Sequence, residues 1–126
     1  LFLSLDGTAL TLRHFPATDD LVLASTVAKR PEGEAERLAL CEKALKMNAF
    51  SRETGEGVLG LLPDGSALVY SVWVRLGKLS YGDFEALLLK TADRVAKLRK
   101  AFAETGDVPA EPADLSWMQG PGVLSV

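Results

Sequence analysis

Residues 58–102 read VLGLLPDGSALVYSVWVRLGKLSYGDFEALLLKTADRVAKLRKAF, and the succession of patterns in this stretch decides the fold. Val58 to Leu62 is a short, nearly continuous apolar run, Pro63-Asp64-Gly65-Ser66 is a turn signal, and Ala67 to Leu76 alternates with a period of two. That is two strands joined tightly. In the second strand Leu68, Tyr70, Val72, Val74 and Leu76 share one face, while Val69, Ser71, Trp73 and Arg75 share the other. The period then changes. Ser80 followed by Asp83 has capping-box spacing, and Phe84, Leu87, Leu88, Thr91, Val95, Leu98 and Phe102 recur at intervals of three and four up to a stop at Gly106. This predicts a helix lying on the sheet.

Towards the N-terminus the period is two again. Leu1, Leu3 and Leu5 alternate with Phe2 and Ser4, and Asp6-Gly7 is a tight-hairpin signal. A second run sets Leu10, Leu12 and His14 against Thr11, Arg13 and Phe15, and ends at Pro16 and Thr18-Asp19-Asp20. A third places Leu21, Leu23 and Val27 opposite Val22, Ala24 and Thr26. Three strands with short turns make an antiparallel meander. Between the two strand regions, Glu34 to Asn48 has no Gly or Pro and reads as a helix. Its apolar residues form two sets on adjacent sides, Leu38, Cys41 and Leu45 against Leu40, Ala44 and Met47, which is wider than one core-facing stripe requires. The helix is therefore expected to touch two things.

The fold class is α+β: a five-stranded, mainly antiparallel sheet in the order β-β-β-α-β-β-α over residues 1–106. An irregular tail, 107–126, follows, with Pro109, Pro112 and Pro121 and the apolar Trp117 and Met118. The sequence opens Leu1-Phe2-Leu3 with no initiator Met, so the numbering is expected to start inside the natural chain, after an N-terminal element.

Composition narrows the function. The 126 residues carry 14 Lys+Arg against 17 Asp+Glu, a net charge of −3, which gives no general attraction to nucleic acid or anionic membranes. No apolar stretch approaches the ~20 residues of a membrane helix, and no signal peptide is evident. Cys41 is the only cysteine, so no intrachain disulfide forms and a cytoplasmic setting is expected.

The inventory for catalysis is thin. His14 is the only histidine and sits at a strand end, and Cys41 lies on an apolar helix stripe, where a small buried hydrophobe is the ordinary reading. One His and one Cys cannot furnish a zinc site, and no calcium-loop spacing occurs. Gly55-Glu56-Gly57 and Gly60 precede or interrupt a strand instead of opening a helix, so no phosphate cradle is expected. Lys90, Arg94, Lys97, Arg99 and Lys100 make a basic helix face, read as solvated because Asp83, Glu85 and Asp93 share the helix. No cofactor, metal or catalytic residue is expected.

What remains is apolar surface. Phe2, Phe15, Val22, Val69 and Trp73 fall opposite the main core set, and 48% hydrophobic content exceeds what one core of this size needs. A contiguous apolar patch marks a protein interface. The residues point to a protein that binds protein, with a small α+β ligand-binding or regulatory domain as the alternative.

The same residues carry a resemblance. Ala44-Leu45-Lys46-Met47-Asn48-Ala49-Phe50, then Gly57-Val58-Leu59-Gly60-Leu61, then Asp64-Gly65-Ser66-Ala67-Leu68-Val69 and the Phe84-Glu85-Ala86-Leu87-Leu88 helix resemble the class I type III secretion chaperones of the CesT/SycE kind, over roughly residues 1–104. The resemblance implies a fold α-β-β-β-α-β-β-α, whose first helix would precede Leu1. It also implies a homodimer in the bacterial cytoplasm that binds the N-terminal segment of a secreted effector without ATP hydrolysis. Carried over by position, it implies a dimer interface at Leu40, Ala44, Met47, Phe50, Val58 and Leu59. Client contacts are then expected at Phe2, Leu10, Leu12, Phe15, Val22, Ala24 and Trp73.

Overall fold

Five strands and two helices follow one another in the computed structural model, which describes residues 2–5, 7–51 and 53–103. The strands are β1 (Phe2–Leu5), β2 (Thr8–Phe15), β3 (Asp20–Lys29), β4 (Val58–Leu61) and β5 (Ala67–Arg75). The helix α1 (Glu34–Asn48) joins β3 to β4, and α2 (Tyr81–Phe102) closes the described chain. All neighbours in the sheet are antiparallel, in the order β1-β2-β3-β5-β4. The element order and the α+β class are those the sequence pattern gives. The expected tail with Trp117 and Met118, and the helix stop at Gly106, lie outside the described residues.

Local chemistry accounts for the connections. Leu5 pairs with Thr8 across a two-residue link in which Gly7 takes φ +81°, the left-handed region that a side chain disfavours. In the β4–β5 turn the Asp64 carboxylate accepts the Ser66 N–H at 2.9 Å, while the Gly65 N–H donates to the Leu62 carbonyl at 2.8 Å. At the start of α2, Ser80 Oγ accepts the Asp83 N–H at 3.1 Å, and the Asp83 carboxylate accepts the Ser80 N–H at 3.2 Å. That reciprocal pair is the capping box read from the sequence.

β3 and β5 form the spine of the sheet, paired from Asp20–Arg75 to Lys29–Ala67 with a bulge between Thr26 and Ala28. The bulge lets two successive side chains, Val27 and Ala28, both enter the main core. That core lies on the α2 side, where Leu10, Leu12, Leu23 and Val72 of the sheet meet Leu87, Val95, Leu98 and Phe102 of α2. Helix α1 packs against β4 and adds Leu40 and Ala44 to the same cluster. Lys43 ties the helices together, donating to the Ala101 carbonyl and lying 5.0 Å from the centre of the Phe102 ring.

Truncating Phe102 to Ala removes a fully buried ring and should cost about 3–5 kcal/mol. Ser80→Ala removes only the cap, at about 1 kcal/mol. Urea denaturation at fixed protein concentration should therefore show a large loss for the first variant and a small one for the second; equal losses would contradict this placement of the core.

Candidate functional site

At 100° per residue, the set Leu40, Ala44 and Met47 is centred about 125° around α1 from the set Leu38, Cys41 and Leu45. A helix on the rim of one small domain can press only one such side into its own core. The structure turns Leu40 (1% exposed) and Ala44 inward, with Met47 packed half-buried against the same cluster. Leu40 and Ala44, expected at the interface, are buried in this chain's own main core, and so is Leu59. Phe50 and Val58, also expected there, are exposed. The stripe that faces outward is Leu38 and Leu45 (70% exposed), with Cys41 half-buried between them. Period alone could not choose between two apolar faces.

Phe50 follows directly. It is 98% exposed and has φ +58°, a left-handed conformation that a bulky side chain adopts only under constraint. Just before it, Asn48 faces the outer edge of β4: its side-chain amide donates to the Leu59 carbonyl and its oxygen accepts the Leu59 N–H, both at 2.8 Å. Asn48 thus does the work of a neighbouring strand for one residue pair. Val58 and Leu61 beside that pair are also exposed, on opposite faces of β4.

The client contacts that the resemblance implies on the first three strands include Leu10, Leu12, Phe15, Val22 and Ala24. Leu10 and Leu12 belong to the main core beneath α2, because they share the face of Leu23 and Val72. Phe15, Val22 and Ala24 do lie on the opposite face, but they are buried with Val69 in a second, smaller cluster. Strand alternation tells the face of a residue and not its cover. Phe2 and Trp73 remain exposed, and both look to this second face, since Phe2 pairs with Thr11, Thr11 with Ala24, and Ala24 with Ser71. Trp73 stacks on Phe15 with ring centres 5.6 Å apart and planes 17° from parallel, and the Arg13 guanidinium lies 5.5 Å from the Phe15 ring.

Titratable groups serve the scaffold. The His14 ring contacts the Asp19 carboxylate at 2.9 Å, and Asp19 also accepts the Gly77 N–H at 2.8 Å. These hydrogen bonds hold the Asp19 carboxyl below its ordinary pKa, so its small contribution is present at neutral pH and lost in acid. Burial pushes the Tyr70 hydroxyl up, and it donates to the Thr54 carbonyl at 2.5 Å. Burial pushes the Arg99 guanidinium down; it donates to the Thr26 carbonyl at 2.9 Å and Ser25 Oγ at 3.0 Å, bracing the bulge in β3. A cavity of about 150 Å³ borders Tyr70, Lys90 and Arg94, whose polar atoms are already engaged with Thr54, Glu56 and Glu53. Among the described residues no cluster of His, Cys, Asp and Glu could hold a metal ion, and no helix is long and apolar enough to cross a membrane.

The model of the Tir chaperone protein (CesT) family matches residues 1–99. The fold is similar to that in the heterodimeric ExoU–SpcU complex from the type III secretion system of Pseudomonas aeruginosa, with 17% identity, TM-score 0.65, and coverage of 85% of this chain and 82% of that one. It is similar to a chain of the ExsC–ExsE complex, with 16% identity, TM-score 0.62, and coverage of 79% and 73%. A chain of the HopA1–SchA chaperone–effector complex gives 19% identity, TM-score 0.54, and coverage of 82% and 73%. Among curated proteins no match was found.

Replacing Asn48 with Ala strips both partners from the outward Leu59 peptide groups and should destabilise the fold by about 1–3 kcal/mol. Asn48→Asp keeps the acceptor but not the donor, so its urea midpoint should fall between those of Asn48→Ala and the unaltered protein. An Asn48→Ala protein of unchanged stability would remove this residue from the edge-closing role.

Proposed function

The chain belongs to the Tir chaperone protein (CesT) family, and from that premise we propose that it is a type III secretion chaperone that binds the N-terminal segment of a secreted effector and keeps it soluble and ready for export. The family match over residues 1–99 carries this reading. The HopA1–SchA complex, described as chaperone–effector, supports the kind of partner. In this reading the protein works in the bacterial cytoplasm, catalyses nothing and hydrolyses no ATP. Its free energy comes from apolar burial and strand addition. A client segment that is disordered when free can cover a large surface, which suits a holder better than a rigid lock would.

Two copies are proposed to associate through the rim of α1 and β4, by Leu38, Leu45, Phe50, Val58 and Leu61. Phe50 argues for it physically: full exposure and a left-handed backbone are both unfavourable in an isolated subunit, and a partner that buries the ring offsets both. The client is proposed to cross the second sheet face, with Phe2 and Trp73 gripping its apolar side chains above the closed floor of Val22 and Ala24. The alternative of a small-ligand domain has no support from the cavity beside Tyr70, whose polar groups are spent within the chain.

Light scattering should give a dimer for the unaltered protein and a monomer with unchanged far-UV circular dichroism for the double variant Leu38→Asp, Leu45→Asp. A monomeric unaltered protein would remove the dimer from the proposal. Co-expression with the N-terminal segment of the secreted protein encoded beside it should yield a soluble complex, weakened about 10- to 30-fold by Trp73→Ala, as expected for a central aromatic anchor. Failure of every neighbouring effector segment to bind would overturn the chaperone reading.

A further inference from the structure

The apolar cluster on the second sheet face, Phe15, Val22, Ala24 and Val69, takes no residue from α1 or α2, both of which feed the main core on the other side. An antiparallel sheet covered on one side commonly leaves its other face to water. Here Val22 is 1% exposed and Ala24 0%. The Phe15–Trp73 stack borders Val22, but Ala24 lies one row further along, between Thr11 and Ser71, whose side chains are too short to shade it. Charge is a second observation. Arg13 and Arg75 stand on this face against one carboxylate, Asp20. The third lies in the sequence beyond Ala103, which carries Glu104, Asp107, Glu111 and Asp114 with no Lys or Arg, followed by Leu115-Ser116-Trp117-Met118. Reach is the fourth. Arg99, in the last turn of α2, donates to the Thr26 carbonyl, two residues along β3 from Ala24. From Ala103 to Trp117 the chain can span up to ~46 Å. The route needs ~10 Å across two strands to the edge of the sheet and ~13 Å along β3 from Thr26 to Val22.

From these observations we propose that the C-terminal segment 104–126 is a tethered placeholder for the client: Trp117 and Met118 cover the floor of Val22 and Ala24 beside Trp73, with the segment's carboxylates toward Arg13 and Arg75, until an effector segment displaces them. The inference rests on the chaperone reading, because it makes the client's face the one that the tail regulates. Without a client, that floor together with Phe2 and Trp73 would be contiguous apolar ground, which invites self-association. A cover carried on the same chain removes the hazard. The contact is one of side chains, since a sheet face has no backbone pairing groups to offer and Pro109, Pro112 and Pro121 lack the N–H that an added strand needs. It need not be strong. Tethering raises the local concentration of the segment to the order of mM, so a weak contact keeps the face closed yet yields to a client that binds through more residues. A tail that closes the face about nine-tenths of the time raises the client's apparent Kd about 10-fold.

The probe is a fluorescein-labelled peptide of residues 107–126, added in trans and read by fluorescence anisotropy. It should bind the full chain carrying Trp117→Ala and Met118→Ala about 10-fold more tightly than the unaltered protein, whose own tail competes. Amide NMR shifts in the double variant should centre on Ala24 and Ser71. Equal binding to the two proteins, or shifts centred on α1 or α2, would overturn the proposal. Contact within one chain is read separately by disulfide trapping: in a Cys41→Ser background, Ser71→Cys and Ser116→Cys should link inside a single chain. Links formed only between chains would give the face to a second copy's tail, and no link at all would leave the face without the tail; both results defeat the placeholder. The effector segment should also bind the Trp117→Ala, Met118→Ala protein about 10-fold more tightly than the unaltered one. A segment that binds both alike defeats the placeholder alone. Failure of the segment to bind the two proteins, while the tail peptide docks on the face as expected, defeats the chaperone reading and upholds the tail contact.

Discussion

Helix α1 carries apolar side chains on two sides, and the described sheet with helix α2 buries only one of them. Much of the surface is set by how that conflict resolves. Leu40 and Ala44 join the core against β4, and this leaves Leu38 and Leu45 outside. The same seating brings Asn48 to the edge of β4, where it engages both outward groups of Leu59. With the helix ended there, the chain turns sharply and Phe50 is thrust into solvent with a positive φ. The rim offered to a partner is thus a by-product of how the core is filled. A single polar substitution at Leu40 would disturb both, whereas one at Leu45 touches only the rim.

Much of this was legible in the sequence, and the illegible part has physical causes. The strands and α2 are written in periods of two and of three to four, and the Ser80–Asp83 cap is local, so both could be read directly. The bounds of α1 were legible too, but its inward face was not, because hydrophobic pattern ranks faces only when one of them is polar. The cover over Leu10 and Leu12 was illegible for a similar reason. Alternation separates two faces of a strand, but only the position of α2 says which of them is covered. The bond from Asn48 to Leu59 joins residues 11 apart through a side chain, and no local rule for helix ends foresees it. The positive φ of Phe50 is likewise a tertiary outcome, since its residue type argues against it.

The sheet has two rims, β1 and β4, each only four residues long. Short rims matter for a protein read as a holder of extended chains, because long open strands would pair with copies of themselves as readily as with a client. The long pairing is kept inside, between β3 and β5, where both partners are spoken for. At β4 the exposure is reduced further. Asn48 occupies one residue pair, and Pro63 follows the strand within two residues and has no N–H to offer.

Main-chain pairing of that kind is indifferent to sequence, so it can supply affinity but little choice among clients. Choice has to come from side chains placed beside the pairing groups. On the second face the Phe15–Trp73 stack, with Arg13 over the Phe15 ring, is a rigid aromatic element whose preferred partners are apolar or aromatic.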